Sequence, residues 1–171
     1  AVEAVCCWDY EYTMELVKAI EHLNIAWLEE PCLPDRMDEY ARLKRDCPIA
    51  ISGGEHDTSR WKFRQMLEIY QPEPAWGGGI TETMSIINLV GAFNRKVYLH
   101  QCIPNVNAHI MAATNPAVVP MTEYLLTINE ASQYFLQYPS RPQNGKIYPP
   151  EVVGVGCDVD ESKVENSEII E

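Results

Sequence analysis

The chain has 171 residues, 46% of them hydrophobic, enough material to bury a core and a length suited to one domain. Its 13 Lys and Arg against 25 Asp and Glu leave a net charge of -12, a field that repels nucleic-acid phosphates and anionic lipid surfaces. No apolar run reaches the roughly 20 residues that a membrane helix needs, and no basic segment precedes a short apolar stretch at the amino end. The reading is therefore a soluble, cytoplasmic protein with neither nucleic acid nor membrane as a partner. Six cysteines occur (Cys6, Cys7, Cys32, Cys47, Cys102 and Cys157) without a Cys-x-x-Cys pair, which favours reduced thiols over a disulfide framework.

Val2 to Trp8 reads as a strand already under way, and with Ala1 in place of a methionine that is expected of a fragment or a processed product. Met14, Val17, Ile20 and Leu23 then recur at helical spacing. Ile25 to Leu28 is a short apolar strand ending in Glu29-Glu30-Pro31, followed by a helix over about Met37 to Arg45. Pro48 to Gly54 predicts a buried strand running into a glycine turn, and Asp57, Thr58 and Ser59 offer caps to a helix reaching about Leu67. Further strands are expected over Ile69 to Gln71, Val97 to Leu99 and Met121 to Leu126. Helices are expected over about Thr81 to Phe93 and Asn107 to Ala113. Strands alternating with helices imply parallel βαβ units. Six such units over residues 1–126 make a partial (β/α)8 barrel of the TIM type, an α/β fold whose closed form needs eight strands and typically about 250 residues. Residues 127–171 form a carboxyl-terminal extension packing on that barrel, and its acidic end is expected to lack fixed structure.

Acids stand where the early strands meet their loops: Glu3, Glu29 and Glu55. The two intervals, 29 − 3 and 55 − 29, both equal 26, about one βα unit. Residues one unit apart take equivalent places on adjacent strands, at the end of a barrel where active sites lie. Three converging carboxylates suit a hard divalent ion such as Mg²⁺, whereas no thiolate or imidazole stands in a zinc spacing. Chance placement among 25 acids gives the same interval equally readily. Glu73, His100 and Glu123 follow on the later strands, and a histidine beside a carboxylate can act as general base and then general acid. His56, next to Glu55, either touches a substrate hydroxyl or starts a helix. His22 and His109 read as structural. Gly77-Gly78-Gly79 lacks a P-loop lysine and reads as a loop that lets substrate approach the backbone.

Trp27-Leu28-Glu29-Glu30-Pro31, Ser52-Gly53-Gly54-Glu55-His56, Gln71-Pro72-Glu73-Pro74-Ala75-Trp76, the strand ending at His100, and Thr122-Glu123-Tyr124-Leu125 resemble the mandelate racemase branch of the enolase superfamily. Within it they look most like rhamnonate dehydratase and related sugar-acid dehydratases. The resemblance implies Mg²⁺ on the residues matching Glu3, Glu29 and Glu55. It also implies a histidine-acid dyad at His100 and Glu73, a hydrogen-bond donor at Glu123, and a sugar acid as the small-molecule partner. Enolase-superfamily sites are a worked case of a Lys or His base with Mg²⁺ stabilising an ene-diolate.

Four features depart from the family pattern. Glu3 and Glu73 stand where Asp is usual, and Glu55 to Glu73 covers only 18 residues (73 − 55), which reads as a deletion. The fourth is that the amino-terminal capping domain, the first two strands and their Lys-x-Lys are missing, although rhamnonate-type relatives manage with the histidine dyad alone. A dehydratase giving a 2-keto-3-deoxy acid leads. A racemase or epimerase, and an inactive half-barrel with an interaction role, stay open, as does a homo-oligomer.

Overall fold

The computed structural model describes residues 1–62, 67–101 and 103–168. Six short strands, β1 (Val2–Glu3), β2 (Leu28–Glu29), β3 (Ile51–Gly53), β4 (Ile69–Tyr70), β5 (Lys96–Leu99) and β6 (Met121–Thr122), pair in sequence order, each parallel to the next. Helices α1 (Tyr10–Ile20), α2 (Met37–Asp46), α3 (Gly79–Ala92), α4 (Pro104–Ala112) and α5 (Leu126–Ser132) follow β1, β2, β4, β5 and β6. The architecture is the expected partial barrel.

Alternation within each strand separates two faces. Leu28, Ile51, Val97 and Leu99 point to the helix layer, where they are buried with Val17 of α1, Leu43 of α2, Ile86 and Val90 of α3 and Ile110 of α4. Glu29 and Ser52 alternate with them and point to the concave face. The sheet curls: the Trp27 ring before β2 meets Tyr98 of β5 edge-on at 5.3 Å, a contact that a flat sheet would forbid.

Local chemistry sets the element ends. Asp9 caps α1 by accepting from the Tyr12 N–H, and Asn24 turns the chain out of the following 3-10 turn in the left-handed region. β1 stops at Glu3 and not near Trp8, because Val5 and Cys6 take positive φ (48° and 57°) and Cys6 N–H donates to the Glu30 carbonyl. β6 ends at Thr122, and Leu126, expected in that strand, opens α5 instead. The helix expected from Asp57 to about Leu67 is absent over 57–62, which form bends and turns, and at Leu67, while 63–66 lie outside the described residues. Ser52 pairs with Ile69, so 16 residues separate these partners, against 22 between Glu29 and Ser52 and 26 between Tyr70 and Val97.

The extension beyond α5 is anchored by Asn105 of α4, fully buried, whose amide donates to the carbonyls of Tyr138 (2.9 Å) and Gly156 (2.6 Å). Leu136 and Val159 form an antiparallel bridge, and Glu161–Lys163 is a 3-10 turn capped by Asp160. Among the described residues, Cys6, Cys7, Cys32, Cys47 and Cys157 are free thiols, and no helix is long and apolar enough to cross a membrane.

Candidate active site

The carboxyl ends of the strands gather acids from the whole sheet. Glu3 and Glu29 are register partners on β1 and β2, and their carboxyl groups share a hydrogen bond. Glu29 also accepts from the Trp27 indole N–H at 3.0 Å, the i, i+2 relation that puts both side chains on the concave face. Glu55 is not their register equivalent, because Glu29 pairs with Ser52. The equal interval holds for the first step and fails for the second, and Glu55 reaches the same region from the loop past Gly53-Gly54. Loss of water around the carboxyl group, then the charges of Glu29 and Glu55, push Glu3 up to about 7 against the Val5 N–H that it accepts. Glu3 is nonetheless exposed as a residue, since β1 ends the sheet and only its carboxyl turns inward.

His100, at the end of β5, is held on both ring nitrogens. Nδ1 lies 3.1 Å from Glu73, itself 1% exposed, and Nε2 lies 2.9 Å from Glu55 and 3.7 Å from Glu123. Burial alone would lower its pKa, but the hydrogen bonds to Glu55 and Glu73 prevail and raise it to about 10. Burial likewise acts upward on Glu55, and its bond to His100 holds it below the ordinary carboxylate range. Glu123 goes the other way, pushed up to about 7 by burial and by the charge of Glu29. That makes Glu123 a carboxyl group able to hold a proton near neutrality.

Sequence reasoning missed the residues that orient these groups. Gln71 donates to Glu123 at 2.5 Å, and the Asn107 amide fixes the His100 carbonyl at 2.8 Å and the Thr122 hydroxyl at 3.0 Å. Glu30, 3% exposed, accepts from His56 Nδ1 at 2.7 Å, while His56 Nε2 lies 3.6 Å from Glu55. The doubled acid of Glu29-Glu30-Pro31 was the available signal. Glu73 is set by its turn: its other oxygen accepts from Ala75 N–H, and Gly77 N–H donates to its carbonyl at 2.7 Å. A Cβ on Gly77 would sit 2.6 Å from that carbonyl oxygen, so the first glycine of the run is required by this close approach.

Carboxylates from four strand ends lie around a histidine held by a buried acid, an arrangement suited to acid-base chemistry. A match to the family model for enolase C-terminal domain-like proteins covers residues 1–163. The chain belongs to that family. The enolase C-terminal domain-like chain is 31% identical over 166 residues to the L-rhamnonate dehydratase of Saccharopolyspora erythraea, covering 88% of this chain and 42% of that protein. Rhamnonate dehydratase from Gibberella zeae, solved with Mg, is 36% identical with a TM-score of 0.65, covering 72% of this chain and 31% of its own. The 3,6-anhydro-D-galactonate cycloisomerase of Zobellia galactanivorans is 28% identical with a TM-score of 0.83, covering 94% and 48%. The chain thus spans less than half the length of each of these relatives. It is related to sugar-acid dehydratases and to a cycloisomerase, so the fold by itself does not choose the reaction.

Proposed function

We propose that the enolase C-terminal domain-like chain carries the acid-base half of a sugar-acid dehydratase, with Mg²⁺ as cofactor and an aldonic acid as substrate. The observation that carries this reading is His100, its Nδ1 on buried Glu73 and its Nε2 directed into the carboxylate cluster. The donor set suits magnesium: Glu3, Glu29 and Glu55 offer oxygen only, and a shared ion would draw together ligand atoms that here do not all lie within 4.8 Å of one another. Glu3, Glu29 and Glu55 would hold Mg²⁺, which would supply positive charge against the charge developing on the substrate carboxylate; Glu55 so engaged would no longer hold His100 Nε2.

The remaining steps belong to the protein. With Glu73 holding Nδ1–H, the neutral imidazole presents its Nε2 lone pair and takes the proton α to the carboxylate. The electron pair left on the α carbon expels the β-hydroxyl, and Nε2 returns the proton so that water leaves. Tautomerisation of the enol gives the 2-keto-3-deoxy acid. Glu123, whose burial favours the protonated form, donates a hydrogen bond to the developing oxyanion. His56, fixed by Glu30, faces the substrate hydroxyls.

A panel of aldonic acids, assayed for 2-keto-3-deoxy product, tests the reading. His100→Asn is expected to abolish product formation, and unchanged turnover by that variant would assign the base elsewhere. An epimerase is the second reading, because His56 is a second imidazole held by a buried carboxylate and epimerisation needs a base on each face. Incorporation of solvent deuterium at the α carbon without loss of water would favour it.

A further inference from the structure

Among the described residues, the one group of three or more His, Cys, Asp or Glu side chains whose ligand atoms all lie within 4.8 Å of one another is Cys6, Glu30 and His56; Glu3, Glu29 and Glu55 stand further apart. It is separate from Glu3, Glu29 and Glu55, and lies beside them on the turns that follow β1, β2 and β3. We infer that Cys6, Glu30 and His56 form a second cation site, selective for a thiophilic divalent ion such as Zn²⁺ or Cd²⁺. The inference does not depend on the dehydratase reading.

The geometry is close to what such an ion requires. Cys6 Sγ is 3.0 Å and His56 Nδ1 is 2.7 Å from the same oxygen of Glu30. Around a tetrahedral Zn²⁺ with bonds of about 2.0 to 2.3 Å, neighbouring ligand atoms stand roughly 3.3 to 3.6 Å apart. The cluster therefore needs to open by roughly 0.5 Å, and three protein ligands leave a fourth position to water. Softness separates the two sites: imidazole and thiolate draw Zn²⁺ or Cd²⁺, while the all-carboxylate group draws Mg²⁺.

The supporting structure is in place. Glu30 is 3% exposed, its second oxygen accepts from Gly54 N–H at 3.1 Å, and its Cγ packs where a Cβ on Gly53 would stand 3.0 Å away. Cys6 and Glu30 both hold left-handed backbone, with φ of 57° and 38°, a conformation that non-glycine residues keep only where their surroundings impose it. Cys6 is half-buried and His56 exposed, so the ion has a path from solvent. Without a cation, burial and the Glu30 carboxylate push the Cys6 thiol above its ordinary range, and it serves as a hydrogen-bond donor to Glu30. On binding, the Sγ–H proton passes to solvent, the imidazole proton moves from Nδ1 to Nε2, and the thiolate, carboxylate and neutral imidazole together hold the dication.

The test titrates the full chain with Cd²⁺ in excess Mg²⁺ and a thiol-free reductant, following the ultraviolet thiolate-to-cadmium absorption. A saturable band that Zn²⁺ displaces is expected. Cys6→Ser is expected to remove it, and His56→Asn to weaken binding by at least about 10-fold, the lower bound for losing even an outer-shell partner. Glu29→Gln is expected to leave the band intact while removing Mg²⁺ binding, which separates failure of this site from failure of the magnesium reading. Absence of the band, its survival in Cys6→Ser, or its loss in Glu29→Gln would each overturn the inference.

Discussion

Two carboxylates, Glu55 and Glu73, hold opposite nitrogens of the His100 ring, and the second owes its position to a neighbouring glycine. Gly77→Ala places a methyl group against the Glu73 carbonyl and forces the turn to shift, with overpacking of this kind typically costing about 1–3 kcal/mol. Denaturant unfolding is expected to show that loss, and imidazole NMR is expected to show His100 Nδ1 released from Glu73. An unchanged midpoint and an unchanged His100 signal would show that the turn tolerates the methyl. The early acids were legible in the sequence because each stands where an expected strand meets its loop, Glu29 after Trp27-Leu28 and Glu55 after Gly53-Gly54. The partners of the later site residues were not, since Gln71 and Asn107 find Glu123 and the His100 carbonyl only across the curled sheet. Glu55 shows the limit of counting: its interval of 26 matched the first step, yet its register partner position is taken by Ser52.

Between β3 and β4, where a crossover helix was expected, the described turns are fastened to the next helix instead. Arg60 donates its backbone N–H to Glu82 at 2.7 Å and its guanidinium to both oxygens of the same carboxylate, in the first turn of α3 where a negative charge also meets the helix dipole. The Arg60 guanidinium first, then its backbone N–H, hold Glu82 down at about 2. A carboxylate with a depressed folded pKa contributes stability that is full above its unfolded value of 4.5 and is lost as pH falls through about 2. Glu82→Gln is therefore expected to lower the melting temperature at neutral pH, with the gap from the parent chain closing between about pH 4.5 and 2. A gap independent of pH would assign Glu82 a packing role only. Helices α1, α2 and α3 could be placed from sequence because the spacing of their apolar residues is a local feature. The end of β6 could not, since Met121 to Leu126 is equally apolar whether it continues as strand or opens α5.

At the scale of the molecule, the sheet is a curled ribbon of six strands in which β1 and β6 pair with one neighbour each. The alternation of elements was enough to read that architecture, whereas the curl depends on contacts such as Trp27 with Tyr98 that lie 71 residues apart. Glu3 and Glu29 end β1 and β2 and Glu55 follows β3, so a shared cation would tie three strand ends together and favour the folded chain over the unfolded one. Saturating Mg²⁺ is expected to raise the melting temperature, by the equivalent of about 2.7 kcal/mol at a hundredfold excess over Kd, and Glu29→Gln to abolish the rise. No shift with Mg²⁺ would mean that the three acids do not act together. The indole of Trp27 donates to the very carboxylate that such an ion would claim. Its fluorescence is consequently a native optical gauge of that carboxylate's electrostatic state, readable without any added dye.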